Sequence, residues 1–145
     1  MIADVRVCQN GYSHKLCDLD LYRFSYEQVQ ERMEERGIAY NDLVVVGFVD
    51  WDVGVTMSLI TAYLLKRIID EFHEDETLVI TLLKHHVSPY DVIFTDWRFL
   101  GNDEFEVAEY LLQHTNMKNF MIAKAIKDKL LFCTPKGFYF ADTEV

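Results

Sequence analysis

Two groups of side chains in this chain have the types and spacing for chemistry. His85 and His86, with His73 and Asp91 nearby in sequence, are candidate metal ligands. Asp50 and Asp52 are candidate carboxylates for general acid–base work or for half of a magnesium site. Adjacent histidines on a helix point about 100° apart and cannot face one ion as an i, i+4 pair can. His86 falls on the apolar stripe of its helix, and His85 lies beside Lys84 on the outer face. Asp50 and Asp52 share one face if the strand before them continues, yet no second acidic motif of fixed spacing accompanies them. The chain has no glycine-rich phosphate loop and no serine in a GxSxG context. The sequence therefore assigns no catalytic residue, no cofactor and no metal, and the protein is expected not to be an enzyme.

The elements that must position these residues are legible from periodicity and punctuation. Ala3–Cys8 and Leu16–Phe24 alternate as two strands around an Asn10-Gly11 turn, with Leu19, Leu21 and Arg23 on one face. Ser25 caps a helix from Tyr26 to about Arg36; Gln28 completes a capping box and Gly37 ends the helix. Leu43–Val49 is the most apolar strand, closed by Asp50-Trp51-Asp52. A second helix starts at Thr56 or Ser58, and a third carries Leu78, Val79, Leu82, Leu83 and His86 at helical spacing. Ser88-Pro89 opens another helix. Asn102 or Asp103 caps the next, with Phe105, Ala108, Leu111 and Leu112 inward; a basic helical stretch and a hairpin (LLFCTPKGFYF) close the chain. The reading is an α+β protein of small consecutive modules: 1–54 (β-β-α-β), 55–101 (helical) and 102–145 (helix plus hairpin).

Charge is the most uneven property of the sequence. The net charge is −10 over 145 residues, half of them hydrophobic, so this is not a disordered acidic tail. Residues 1–40 hold seven acids and five bases; residues 41–117 hold fourteen acids and four bases; residues 118–145 hold three acids and five bases. The surplus is thus confined to the middle. Phosphate binding needs Lys and Arg, so direct nucleic-acid binding is not expected, whereas a basic partner surface is. Trp51, Tyr90, Trp97 and Tyr110 each lie within a few residues of two or more carboxylates. No apolar run reaches the roughly 18 residues of a membrane span, and Cys8, Cys17 and Cys133 lack CxxC spacing. A cytoplasmic protein with reduced, partly buried thiols and no membrane partner is expected.

These residues, taken in order, resemble the ArdA-type antirestriction proteins, small acidic proteins of plasmids, transposons and phages. The likeness runs through Gly11-Tyr12, the FSYEQVQERM helix and Asp50-Trp51-Asp52. It continues through LLKHHVSPYDV (Leu82–Val92), DEFEVAEYLLQHT (Asp103–Thr115) and Lys136-Gly137-Phe138-Tyr139. The resemblance implies an elongated, dimeric protein with an acidic surface. That surface would mimic bent DNA and occupy the DNA-binding groove of type I restriction-modification enzymes. The mimic charges it implies are Asp50, Asp52, Asp70, Glu71, Glu74, Asp75, Glu76, Asp91, Asp96, Asp103, Glu104, Glu106 and Glu109. The alternatives are an acidic inhibitor of another DNA-binding defence complex, such as a CRISPR effector, or a small acidic enzyme or regulatory domain. The basic stretch Lys118–Lys129 departs from the pattern.

Overall fold

The strand at the start of the chain, β1 (Ile2–Gln9), organises the first part of the molecule. Its residues alternate between buried Ala3, Val5 and Val7 and half-buried Ile2, Asp4 and Arg6, the pattern of a strand with one covered face. It lies between β2 (Tyr12–Asp20) and β3 (Leu43–Phe48) in a four-stranded antiparallel sheet ordered β2-β1-β3-β4. Val5 stands opposite Cys17 on one side and Val45 on the other; Ala3 stands opposite Leu19 and Phe48. Opposed residues share a face, so the three strands turn their apolar sets the same way. The β1–β2 turn places both Asn10 (φ 51) and Gly11 (φ 79) in the left-handed region, as a two-residue hairpin requires.

The computed structural model describes residues 1–72, 76–114 and 116–141. It divides into two compact units, Met1–Asp96 and Trp97–Val145. The first contains the sheet and the helices α1 (Tyr26–Glu35), α2 (Leu59–Phe72), α3 (Thr77–Lys84) and α4 (Pro89–Phe94). Each helix contributes one stripe to a single core. Val29 and Met33 come from α1, Leu59, Ala62, Leu65 and Ile69 from α2, Val79 and Leu83 from α3, and Val92 from α4. The α1 capping box forms as expected: the Ser25 hydroxyl accepts from the Gln28 N–H at 3.2 Å, and the Gln28 amide oxygen accepts from the Ser25 N–H at 2.9 Å. Ser88 and Pro89 likewise open α4. Among the described residues, no helix is long and apolar enough to cross a membrane.

One strand was not anticipated. Val53–Ser58 forms β4, pairing Val53 with Phe48, Gly54 with Gly47 and Met57 with Val45. The expected helix start at Thr56 is therefore corrected: Ser58 ends the strand and its hydroxyl then accepts from the Thr61 N–H to open α2. Because β4 straddles residues 54 and 55, the core runs without a break across the boundary drawn there from sequence.

The second unit comprises α5 (Glu104–His114), α6 (Met117–Lys127) and a hairpin of β5 (Leu131–Thr134) and β6 (Gly137–Phe140). None of its described residues is buried. Phe105, Ala108, Leu111 and Leu112, expected inward, are exposed, Phe105 by 83%. A unit of about 50 residues has too little interior to enclose such side chains.

The paired glycines of β3 and β4 give a direct test of the sheet. A Cβ at Gly47 would fall within hard contact of the Val53 carbonyl oxygen, whereas one at Gly54 meets nothing. Gly47→Ala should cost about 1–3 kcal/mol by overpacking, and Gly54→Ala less than about 0.5 kcal/mol. Urea denaturation of the two variants checks this; equal effects would mean that the β3–β4 register is misplaced.

Candidate interaction surface

Asp50 and Asp52 follow the end of β3. The chain does not continue as a strand past Phe48 but turns over residues 49–52, so the two carboxylates do not share a strand face. The expected acid–base geometry is thereby corrected. One Asp50 oxygen lies 2.7 Å from the Met1 ammonium, and the other accepts the Ile2 N–H at 2.7 Å. Burial pushes the Asp50 pKa upward, but the hydrogen bonds from the ammonium and Ile2 outweigh it and hold the carboxyl below its ordinary value. Trp51, one of the aromatics beside carboxylates, is buried with its ring 4.6 Å from that of Phe48. Asp52 (φ 53) is exposed and makes no ion pair among the described residues.

The acids of α2 are tied to their own helix. Asp70 lies 3.5 Å from the Lys66 ammonium and Glu71 2.8 Å from the Arg67 Nε, both at i, i+4 spacing. Glu74 and Asp75 lie outside the described residues. Glu76 is half-buried before α3, and Asp91 and Asp96 are exposed. Acids from four separated segments nevertheless act on one side chain. The Tyr22 hydroxyl is raised above its ordinary pKa first by burial, then by the fields of Glu76, Asp70, Asp50 and Asp20. The fields of three of the candidate acids thus reach one half-exposed ring, over which the Lys66 ammonium also sits at 5.8 Å. Sequence reasoning passed over Asp20 and Tyr22. Their alternation looked like an ordinary strand end, and only the fold lets residues 20, 50, 70 and 76 act on one hydroxyl.

In the second unit, the Asp103 carboxylate accepts the Phe105 N–H at 3.0 Å, and its carbonyl accepts from Val107. It therefore caps α5. Glu104, Glu106 and Glu109 are exposed and make no ion pair among the described residues. Glu106 and Glu109 are one turn apart, a rise of about 4.5 Å. Of the aromatics beside acids, Tyr90 is exposed and packs on Phe94 at 4.5 Å, while Trp97 and Tyr110 are half-buried.

The histidines separate differently from the expectation. α3 ends at Lys84. The Val87 N–H reaches the Leu82 carbonyl, and the His86 N–H reaches that of Leu83. This Schellman closure puts His86 (φ 62) in the left-handed position after the helix, exposed rather than on the apolar stripe. His73 lies outside the described residues. Among those residues, no group of three or more His, Cys, Asp or Glu is arranged to hold a metal ion. The thiols are free; Cys17 is half-buried, whereas Cys8 and Cys133 are exposed rather than partly buried. Comparison with protein-family models, with curated proteins and with solved structures finds no match to this chain.

Asp50 and Asp52 should behave oppositely. Asp50→Asn should lower stability at neutral pH by about 1–2 kcal/mol, the scale of a partly solvated charged hydrogen bond. Asp52→Asn should change it by less than about 0.5 kcal/mol. Because the folded pKa of Asp50 is depressed, its contribution is present above the unfolded carboxylate value of about 3.9. It is lost as pH falls through the lower folded value. Denaturation curves of the native chain and Asp50→Asn should therefore converge in acid; a constant gap would exclude this role.

Proposed function

We propose that this protein is a DNA-mimic inhibitor. It would present distributed negative charge to a DNA-binding defence complex and occupy the groove meant for the duplex. The observation that carries the reading is the set of exposed carboxylates that make no ion pair among the described residues: Asp52, Asp91, Glu104, Glu106 and Glu109. Glu76, Asp70, Asp50 and Asp20, whose fields reach the Tyr22 hydroxyl, add charge from four separated segments. The likeness to ArdA-type antirestriction proteins supports a type I restriction-modification enzyme as the target. An effector of the CRISPR kind would be gripped by the same chemistry, since both bind a polyanion through Lys and Arg.

Within this reading the candidate acids are unequal. Asp50 holds the fold, Asp103 caps a helix, and Asp70 and Glu71 are partly neutralised by Lys66 and Arg67. The freely available charge belongs to Asp52, Asp91 and the α5 glutamates. No cofactor takes part, and the acidic surface does not itself bind nucleic acid. Exposed Phe105, Phe120, Phe132 and Phe138 in the second unit support the homodimer that the resemblance implies, since symmetric association covers such surface.

Charge removal distinguishes a mimic from an enzyme. Glu106→Gln alone should weaken inhibition by well under about 1 kcal/mol, the scale of one exposed charge. Neutralising Glu104, Glu106, Glu109 and Asp91 together should slow association and weaken binding far more, with the loss shrinking as salt rises. Titration of both variants against a type I restriction-modification complex at two salt concentrations reads this. Were one substitution to abolish inhibition while the quadruple variant stayed active, a single-site mechanism would replace the mimic.

A further inference from the structure

The amine of Met1 is held by more than its ion pair. The ammonium lies 2.7 Å from one Asp50 oxygen, and the Ile2 N–H donates to the other at 2.7 Å. Met1 belongs to the core of the first unit and is only 5% exposed. Its carbonyl accepts the Leu21 N–H at 3.0 Å, and the Ile2 carbonyl accepts the Val49 N–H at 2.8 Å. Side chain, carbonyl and following peptide are therefore all fixed. Residue 1 cannot swing its nitrogen away from the carboxylate without breaking one of these contacts.

An acyl group on that nitrogen would change what Asp50 meets. An ammonium carries a full charge and three donors, whereas an acylated nitrogen is a neutral amide with one. The acyl oxygen adds an acceptor beside a carboxylate oxygen that lies 2.7 Å from the nitrogen. Two acceptors brought together repel. The Asp50 charge would then lose its cation and keep the Ile2 N–H. Its side chain is 31% exposed, so water replaces the lost partner only in part.

We infer that the Met1 amine is a modification-sensitive site: an acyl group there, such as the formyl group carried by an initiator methionine, loosens the seam between β1, the end of β3 and the segment after β2. Asp50 is the sensor, because its carboxylate loses a cation when the nitrogen is acylated. Hydrolysis of the formyl amide breaks its C–N bond; water gives its oxygen to formate and both hydrogens to nitrogen. The nitrogen leaves that step as the ammonium that Asp50 binds. Deformylation thus completes the fastening. This chemistry does not depend on what the acidic surface binds.

The experiment uses the full chain, expressed with and without a peptide deformylase inhibitor and sorted by intact mass into formylated and free forms. Urea denaturation at neutral pH compares the two forms, in the native sequence and in Asp50→Asn. Formylation should lower the folding equilibrium constant of the native chain by about fivefold or more, the scale of one partly solvated charged hydrogen bond. In Asp50→Asn the two forms should differ by less than about twofold, because the carboxylate that senses the acyl group is gone. If Asp50→Asn fails to fold, amide exchange in the native chain decides. Formylation should then speed exchange of the Ile2, Leu21 and Val49 N–H groups by about fivefold or more. Equal stability of the formylated and free native chains overturns the inference. An equal loss in Asp50→Asn also overturns it, since bulk at the nitrogen would then act without the carboxylate. Where exchange decides, unchanged rates at those three amides overturn it.

Discussion

The carboxylate of Asp50 is the fastening on which the first unit depends. It binds the Met1 ammonium and the Ile2 N–H at once, and two backbone bonds close around it. The Val49 N–H donates to the Ile2 carbonyl at 2.8 Å, and the Leu21 N–H donates to that of Met1 at 3.0 Å. The start of β1, the end of β3 and the segment after β2 therefore meet at one anion. An ammonium with its methionine buried beneath it needs such a partner, since an unpaired charge there would lose its hydration without compensation. Trp51, next in the chain, packs on Phe48 at the end of β3.

Acids distant in sequence also act on one side chain in this unit. After burial, the fields of Glu76, Asp70, Asp50 and Asp20 hold the Tyr22 hydroxyl above its ordinary pKa. Each acid alone is an ordinary surface residue, and Lys66 partly offsets the group by pairing with Asp70 and lying over the Tyr22 ring. Repulsion among like charges costs stability, so the core of β1, β3 and the helices must carry the fold that holds them together. Charge and packing are thus coupled through the same turn.

How far the fold could be read from sequence depended on whether a local signal had a competitor. Ser25 with Gln28, Asn10-Gly11 and Ser88-Pro89 each specify one backbone solution, and each appears as expected. Val53–Ser58 carried two signals at once. The alternation of Val53, Val55 and Met57 is a strand pattern, while Thr56 and Ser58 look like helix caps; pairing with β3 decided for the strand. His86 carried the apolar period but fell at the left-handed closure after α3, where backbone geometry overrides the stripe. Phe105 and Leu112 have a helical period with no interior to meet within their own unit. The candidate acids were visible as a charge surplus. Their division into Asp50 as a fastening, Asp103 as a cap and the α5 glutamates as free charge was not, because it rests on partners distant in sequence or on cap geometry.

The account stands on the claim that this surface substitutes for duplex DNA. Equilibrium competition tests it most directly: a fluorescent duplex is bound to a purified type I restriction-modification complex and the protein is titrated in. The account predicts displacement of the duplex, an apparent affinity that weakens in proportion as the duplex concentration is raised, and a loss of potency with added salt. An unchanged signal at protein concentrations far above the duplex, or binding of the protein to the complex with the duplex still in place, would contradict it.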